Sequence, residues 1–471
     1  MSRQRRGRFF ILCLVAFLGL AIRKQVSLPA PASLSRVAPP SQAAARGQAG
    51  QAAEKVSILG PWAGPDSESF WAVVRLFAQR SGLNVAVEST PDVARILAGR
   101  LEEGAVPDIA ILSNVALVQR YARAGCLVPL RRVLDVERLA ASYPAGWLDL
   151  VSVDGEPYGL LYHATNESIV WYRPAEFQRR RWTIPATWSD LVTLSGHIAG
   201  QGLAPWSVGL KGRALDGAAG TAWIENLLLR NAGPDAYDRW VRHELPWTDP
   251  AVRQAFLAWG QIVGRPRQLT GGVARALASD SAEAALRLYQ ELPEAYLCLG
   301  GSAIQPFIAQ HFPQQAAGED YDFFALPTAN AGDGATVVAG ADVLVLLSDA
   351  PQAGRLLAHL ASDEAQAAWA QRGGFVALSG EVRADAYADT LSRRAAGQML
   401  NAETLRFDAS AQMPPEVEQA FCRAACDFAA NPGRLEAILG EVEAVARQAY
   451  PQRRETPAAP AAAGEGRSFL P

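Results

Sequence analysis

Residues Glu156–Pro174 read EPYGLLYHATNESIVWYRP and contain the strand pair on which the fold depends. Two largely apolar runs, Tyr158–His163 and Ser168–Tyr172, flank a polar turn, and a proline ends the second run. Short apolar runs bounded by turn residues predict two extended strands. These strands interrupt a regular alternation of strands and helices, and we interpret them as a crossover between two lobes.

Before this crossover, the chain alternates predicted strands with predicted helices. The strands are KVSILG (55–60), LNVAVES (83–89) and PDIAILS (107–113), and a helical segment follows each of them. This β-α-β-α-β-α series predicts a parallel sheet with helices on both faces. Ligands of such sheets bind beyond the carboxyl ends of the strands, which are here Gly60–Ala63 and Ser113–Asn114.

After the crossover, helices dominate residues 188–289, and extended segments return at 320–327 and 335–348. A predicted helix pair then covers 351–374, and mostly helix follows to residue 450. One α/β region is therefore interrupted by a large helical insertion. Two lobes that share crossing strands would enclose a cleft between them.

Short motifs recur in a fixed order along the chain: PDIAIL, DGEPYGLLY, IVWYRPAEF, PATWSDL, APWSVG, TAWIEN, VVAGADVLVLL, WAQRGGFVA and RFDASAQMP. In this order they resemble the extracellular solute-binding proteins of family 1, the substrate-capturing subunits of ABC importers for carbohydrates. The resemblance is to the alpha-glucoside-type branch and covers about residues 56–450. It implies a two-lobed α/β periplasmic-binding-protein fold, type II-like, whose hinge strands close a central cleft on a sugar.

The resemblance also implies a division of the folded body. Lobe I would hold residues 56–160 and 324–375, and lobe II would hold residues 161–323 and 376–450. Outside the body, residues 25–54 and 451–471 are rich in Ala and Pro, which predicts a flexible linker and a disordered tail.

The N-terminus has the pattern of a secretory signal. Several arginines precede the apolar run Phe9–Ile22, which is shorter than the roughly 20 residues that span a bilayer. We therefore expect a signal peptide in residues 1–24, with an uncleaved membrane anchor as the alternative. The protein would then be periplasmic or extracytoplasmic, tethered to the inner membrane in the second case.

Composition narrows the choice of partners. The 471 residues carry a formal net charge of −3, so we expect no nucleic-acid partner. The five cysteines are sparse and odd in number, which does not indicate a disulfide framework. No segment predicts a cofactor or a metal site.

Candidate ligand-binding residues follow from the chemistry of sugars. An aromatic ring can contact the face of a sugar ring, and carboxylates or amides can bind its hydroxyl groups. On this basis we expect ligand contacts from Trp62, Asn114, Trp171, Trp206, Trp223, Glu225, Asp342, Phe375 and Asp408. Trp223→Ala is then expected to weaken binding and to leave the fold largely intact.

Two positions depart from the branch that the chain resembles. Ala222 stands where an acid precedes the tryptophan of the motif, and Ala411 replaces the second acid of the motif near residue 408. Each charge-assisted hydrogen bond contributes about 1.5–3 kcal/mol, so these losses would weaken or change ligand binding.

The function predicted from these observations is that of a monomeric binding subunit. It would capture a mono- or oligosaccharide by lobe closure and deliver it to an ABC permease. A membrane-tethered sensor or scaffold with an altered or lost ligand is the alternative. A glycosidase with two carboxylates across the cleft is a further one. No catalytic motif supports an enzyme, since Gly-x-Ser-x-Gly, His-Glu-x-x-His and a phosphate loop are all missing.

Overall fold

The computed structural model describes residues 55–212 and 214–450, which belong to one compact unit. The predicted signal or anchor (1–24), the predicted linker (25–54) and the predicted tail (451–471) lie outside the described residues. Among the helices that the structure describes, none is long and apolar enough to span a bilayer.

The strands form two main sheets and one small hairpin. In chain order they are β1 (Lys55–Gly60), β2 (Asn84–Ser89), β3 (Ile109–Leu112), β4 (Ser152–Val153), β5 (Glu156–Pro157), β6 (Gly159–Asn166), β7 (Ile169–Tyr172), β8 (Leu297–Leu299), β9 (Asp322–Ala325), β10 (Thr336–Leu346) and β11 (Thr404–Phe407).

Helices cover the sheets and build most of the second half of the chain. They are α1 (Pro65–Ser81), α2 (Val93–Glu103), α3 (Val115–Arg123), α4 (Val136–Ser142), α5 (Trp147–Leu150), α6 (Pro174–Arg180), α7 (Trp188–Gly200), α8 (Ala218–Val241), α9 (Pro250–Val263), α10 (Gly272–Ala278), α11 (Ser281–Leu286), α12 (Gln305–His311), α13 (Pro351–Ala361), α14 (Asp363–Ala370), α15 (Thr390–Leu400), α16 (Ala409–Gln412), α17 (Pro415–Ala430) and α18 (Leu435–Ala449). Short 3-10 turns lie at Leu130–Arg132, Ser302–Ile304, Ala384–Ala386 and Pro432–Arg434.

Helix α1 shows how the sequence produces these elements. Phe70, Val73 and Val74 are buried at helical spacing, so one face of the helix packs on the sheet. Gly82 ends the helix in a left-handed conformation with φ 70°, which suits glycine because it has no Cβ. The prediction of a strand, a helix and a second strand in this region is confirmed.

The larger sheet is only partly the parallel sheet that the sequence predicts. Strand β1 pairs in parallel with β2 and β3, which confirms the predicted unit. Strand β10, however, runs antiparallel to β3 and β6, and β11 joins β10 in parallel. The sheet is therefore mixed, with order β11-β10-β3-β1-β2 and with β6 paired to β10. The prediction failed here because apolar runs identify strands and not their direction.

The second sheet is antiparallel, with the order β8-β7-β9. Its central strand β7 is the second strand of the predicted crossover, and Ile169, Val170 and Trp171 are buried in it. The two crossover strands thus belong to different sheets, as the sequence predicts.

The sheets support separate hydrophobic cores. The first core packs β1, β3, β6 and β10 with α1, α3, α13 and α14. The second core packs helices α7, α8, α9, α17 and α18, and a smaller one lies under β7, β8 and β9. The predicted two-lobed α/β fold is confirmed. The lobe boundaries given above stay a prediction.

We call the part of the molecule around the first core the first side and the part around the second core the second side. The chain passes between the two sides at three neighbouring places. They are the link from β6 to β7, the link from β9 to β10, and the link from β11 to α16. The first and third links both contact the start of β10, because the amide of Glu167 donates to the carbonyl of Val338 (2.9 Å) and the amide of Asp408 donates to that of Ala339 (2.9 Å). Crossing strands of this kind are the expected position of a hinge.

Candidate ligand-binding site

A cleft of ≈ 460 Å³ lies at the carboxyl ends of β1 and β2. This is the edge of a parallel sheet at which ligands bind. Its lining combines small hydroxyl side chains and prolines from the first side with a lysine, a glycine and an aspartate from the second: Pro61, Ala63, Ser89, Thr90, Pro91, Lys211, Gly212 and Asp280. None of these described lining residues is aromatic.

The second side of the cleft is built by two backbone segments in close contact. A Cβ at Gly209 would overlap the carbonyl of Asp280, so only glycine permits this approach. The amide of Lys211 donates to the carbonyl of Ser279 (2.9 Å). Asp280 in turn caps α11, because its Oδ1 accepts from the amide of Glu283 (2.8 Å). The packing therefore brings Lys211 and Asp280 to the same wall of the cleft.

The first side of the cleft is supported from behind by Trp62, which lies between the lining residues Pro61 and Ala63. Its ring is only 6% exposed and packs edge to face on Trp369, with centroids 5.0 Å apart. Its Nε1 donates to Oδ2 of Asp342 at 2.7 Å. Two residues that the sequence singled out separately are thus joined, and the ring faces inward.

Asp342 lies on β10 beside an irregularity in the pairing with β6. The register shifts between Gly340 and Asp342, which marks a bulge, and bulges re-aim side chains. Oδ1 of Asp342 accepts from the hydroxyl of Ser113 (2.8 Å), an exposed residue at the end of β3. The Asp342 side chain is 16% exposed, so it remains accessible from the strand ends.

His163 lies opposite this bulge on β6 and was not selected from the sequence. Its Nδ1 is 3.3 Å from Oδ2 of Asp342, and its Nε2 is 3.5 Å from Oδ1 of Asp66 on α1. Burial lowers the pKa of the imidazole, but the two carboxylates outweigh burial and raise the pKa of His163 to about 10. The cluster Asp66–His163–Asp342 is therefore a buried ion cluster at neutral pH.

Aromatic rings cover this ion cluster. Trp62, Trp369 and Phe375 lie around the His163 ring, with centroids 5.4, 5.0 and 6.2 Å from it. Phe375, another residue singled out from the sequence, stacks on Trp369 and is 2% exposed.

Three further predicted residues lie around the short helix α16, Glu225 and Asp408 at its start and Asn114 at its end. Glu225 accepts from the amides of Ala409 (2.8 Å) and Ser410 (3.2 Å), and Asp408 caps the same helix. Asn114 caps α3 and reaches across to the carbonyl of Met413 at 3.1 Å. Burial, followed by the nearby Asp408 carboxylate, raises the pKa of Glu225 well above its usual range. These polar atoms therefore already have partners within the fold.

The remaining predicted residues lie in hydrophobic cores. Trp171 donates to the carbonyl of Gly300 (3.1 Å) and Trp206 donates to the hydroxyl of Ser195 (2.8 Å), and both rings are completely buried. Trp223 packs edge to face on Trp206. None of these three tryptophans lines the described cleft.

The sequence reasoning also missed Asp66, Lys211 and Asp280. One signal was present for Lys211, because only three of the 44 basic residues of the chain are lysines. No comparable signal marks the two aspartates, whose roles depend on residues far away in sequence.

A two-lobed α/β fold with a polar cleft at the strand ends defines the class of solute-binding proteins. The sequence profile of the family described as bacterial extracellular solute-binding protein matches residues 63–367, and the chain belongs to this family. Its members are substrate-binding proteins of ABC transporters and not enzymes, with carbohydrate ligands and an ABC permease as partners. The family is extracellular, which places the protein outside the cytoplasm.

Two characterised relatives are similar over most of their length. The osmoprotective compounds-binding protein GgtB of Synechocystis is 33% identical over 364 residues, which cover 77% of this chain and 86% of the relative. The alpha-glucosides-binding periplasmic protein AglE of Rhizobium meliloti is 29% identical over 398 residues, which cover 82% of this chain and 86% of the relative.

Solved structures share the fold. The bacterial solute receptor AcbH superposes with a TM-score of 0.73 at 20% identity, covering 85% of this chain and all of that one. A chitin oligosaccharide binding protein superposes with a TM-score of 0.72 at 19% identity, covering 84% and 98%. At these identities the likeness concerns the fold alone.

Proposed function

We propose that the protein captures a small, hydroxyl-rich solute of the alpha-glucoside class by closure of its lobes on the cleft, and delivers it to a membrane permease. The cleft is the observation that carries this proposal, because it takes polar side chains from both sides of the crossing links. Closure would bring Lys211 and Asp280 toward Ser89 and Thr90 around one ligand.

The chemistry of the lining supports a hydroxyl-rich ligand. An ammonium group donates, a carboxylate accepts and two hydroxyl groups do both, which together match the hydroxyl groups of a sugar or polyol. Because no aromatic ring is among the described lining residues, hydrogen bonds rather than ring stacking would carry recognition. The alpha-glucosides named for AglE belong to the ligand class that we propose, and GgtB is named for osmoprotective compounds.

A thermal-shift panel of alpha-glucosides, other sugars and polyols tests the proposal on the full chain. At a hundredfold excess over Kd, a bound ligand stabilises the folded state by about 2.7 kcal/mol, which is readily measured. Small-angle scattering with the best ligand should show a smaller radius of gyration if the lobes close. Absence of stabilisation by every compound would contradict the proposal and favour a sensor that has lost this ligand.

Lys211→Met is expected to weaken binding of the best ligand by roughly tenfold to hundredfold, as measured by calorimetry. Lys211 is exposed in the cleft, and its ammonium group has no partner among the described residues. A hydrogen bond to a charged group contributes about 1.5–3 kcal/mol, and methionine keeps the chain length without the charge.

Lys55→Met is the matched control for this variant. Lys55 is also exposed but begins β1, at the opposite end of the strand from the cleft. Equal losses of affinity in both variants would indicate an effect of net charge and would remove Lys211 from the site.

A further inference from the structure

His163 has a backbone conformation that is unusual for its residue type. It is a non-glycine residue with φ 49°, within strand β6 and opposite the bulge of β10. Such conformations are unfavourable and persist only where the surroundings hold them, and they cluster at functional sites. The strained backbone of His163 therefore indicates a functional constraint on this residue.

Titratable groups lie near His163 in three directions. Asp66 approaches from α1, Asp342 from β10, and Glu167 from the link that follows β6. The side that faces α14 is covered by Trp369 and Phe375, which do not titrate. The side chain of His163 is only 8% exposed, so the ion cluster is shielded from water and its attractions are stronger than at a surface.

The two carboxylate oxygens of Asp342 connect this ion cluster to the cleft. One oxygen of Asp342 lies beside His163 and accepts from Trp62, and the other accepts from the exposed Ser113. Each carboxylate oxygen offers about two acceptor positions, so the oxygen next to Ser113 retains one for a ligand hydroxyl. Trp62 in turn fixes the segment Pro61–Ala63, whose two ends line the cleft.

We propose that His163 is a positioning residue for ligand binding: it orients the Asp342 carboxylate toward the strand ends and, through Trp62, shapes the wall of the cleft. The ligand group that Asp342 accepts is a hydroxyl of the hydroxyl-rich solute. This inference rests on the proposed function and adds the residue that prepares one side of the site.

The test uses His163→Gln in the full chain, with the ligand that stabilises the wild type most. Glutamine can still donate to Asp342 but carries no charge. We expect its affinity, measured by calorimetry, to fall by at least about tenfold while its circular dichroism stays that of the wild type. Wild-type affinity in the variant would overturn the proposal.

An NMR measurement separates positioning by charge from mere packing. With histidine labelled at Cε1, the imidazole signal that His163→Gln removes should be that of a protonated ring at pH 8. A neutral His163 at pH 8 would overturn the proposal. His359→Gln is the control, because burial lowers the pKa of His359 and its ring stacks on Phe77 away from the cleft.

Trp62→Phe covers the case in which His163→Gln does not fold. Phenylalanine keeps an aromatic ring but loses the Nε1 donor to Asp342 together with part of the volume of the indole. We expect a severalfold loss of affinity, and unchanged affinity would overturn the proposed connection to the cleft wall. If the wild type binds no compound, the proposed function itself fails, whereas a wild type that binds beside unaffected variants contradicts only the role of His163.

Discussion

Trp223→Ala should lower the free energy of unfolding by about 3–5 kcal/mol, the usual cost of truncating a buried tryptophan. Trp223 is 2% exposed, and its ring packs edge to face on the completely buried Trp206 with centroids 5.0 Å apart. Alanine would leave a cavity between helix α8 and the segment that leads to the cleft. The sequence predicts that this variant loses ligand affinity and keeps an intact fold. From the structure we expect instead that its main effect is a loss of stability.

Chemical denaturation of the wild type and the variant measures this effect, read as a shift of the midpoint at constant slope. Trp71→Ala is the control, because Trp71 is only half-buried on α1 and its truncation should cost clearly less. A Trp223→Ala variant with the wild-type midpoint and weaker ligand binding would show that the sequence interpretation is right and that Trp223 contacts the ligand.

Local pattern was sufficient to predict most elements of the first side of the molecule. The apolar run at 55–60, the helical spacing of Phe70, Val73 and Val74, and the glycine at 82 define β1 and α1 without tertiary information. Strands β8 and β11 were missed, because runs of three or four residues within helical surroundings give no clear period.

The direction of β10 could not be predicted for a different reason. A largely apolar segment of eleven residues identifies the strand β10, but its antiparallel pairing with β3 and β6 depends on how the chain returns from the second side. Such pairings are set by packing between residues far apart in sequence. The sequence therefore gives the strand and not the mixed sheet.

In the candidate site, too, some residues could be predicted from the sequence and others only from the structure. Trp62 and Asp342 were chosen for their chemistry, and the structure joins them by a hydrogen bond across 280 positions. A single histidine in an apolar strand has the same pattern whether it packs or binds, so His163 required the positions of Asp66 and Asp342. For Glu225 and Asp408, whose oxygens contact the amides of α16, a role in ligand binding stays a prediction.

Glu418 should give the protein a marked pH dependence of stability. Burial raises the pKa of Glu418 to about 8, and the nearby Asp408 carboxylate adds to this shift. The folded state then binds a proton more tightly than the unfolded state, whose glutamates titrate near 4.3. This stabilisation is fully present below the unfolded pKa and is lost as the pH rises through about 8.

The loss between pH 5 and pH 8.5 should be on the order of 3 kcal/mol from this residue. Denaturation of the wild type and of Glu418→Gln at both pH values measures it. Glutamine resembles the protonated acid and can still accept from Nδ2 of Asn114, which is 2.8 Å from the carboxylate. We expect the variant to be more stable than the wild type by about 1 kcal/mol at pH 5, where unfolded Glu418 is already mostly ionised, and by clearly more at pH 8.5.

Other groups also make the free energy of unfolding of the wild type fall as the pH rises. The test is therefore the difference in stability between the wild type and Glu418→Gln at each pH. Burial also raises the pKa values of Glu225 and Glu167, and His163, with its raised pKa, adds a fall above its unfolded pKa near 6.5. These contributions are shared by the wild type and Glu418→Gln, and they cancel in the difference.

Glu416, two residues away on α17, provides a control of opposite sign. Burial alone would raise its pKa, but bonds of 2.9 and 3.1 Å from Arg120 outweigh burial and lower it. Its contribution is present above the unfolded pKa and is lost only as the pH falls through the folded one, so Glu416→Gln should keep the wild-type slope between pH 5 and 8.5. A Glu418→Gln variant that also keeps this slope would mean that Glu418 is ionised in the folded protein, and that the acidic side of the α3–α17 contact is more solvated than its burial indicates.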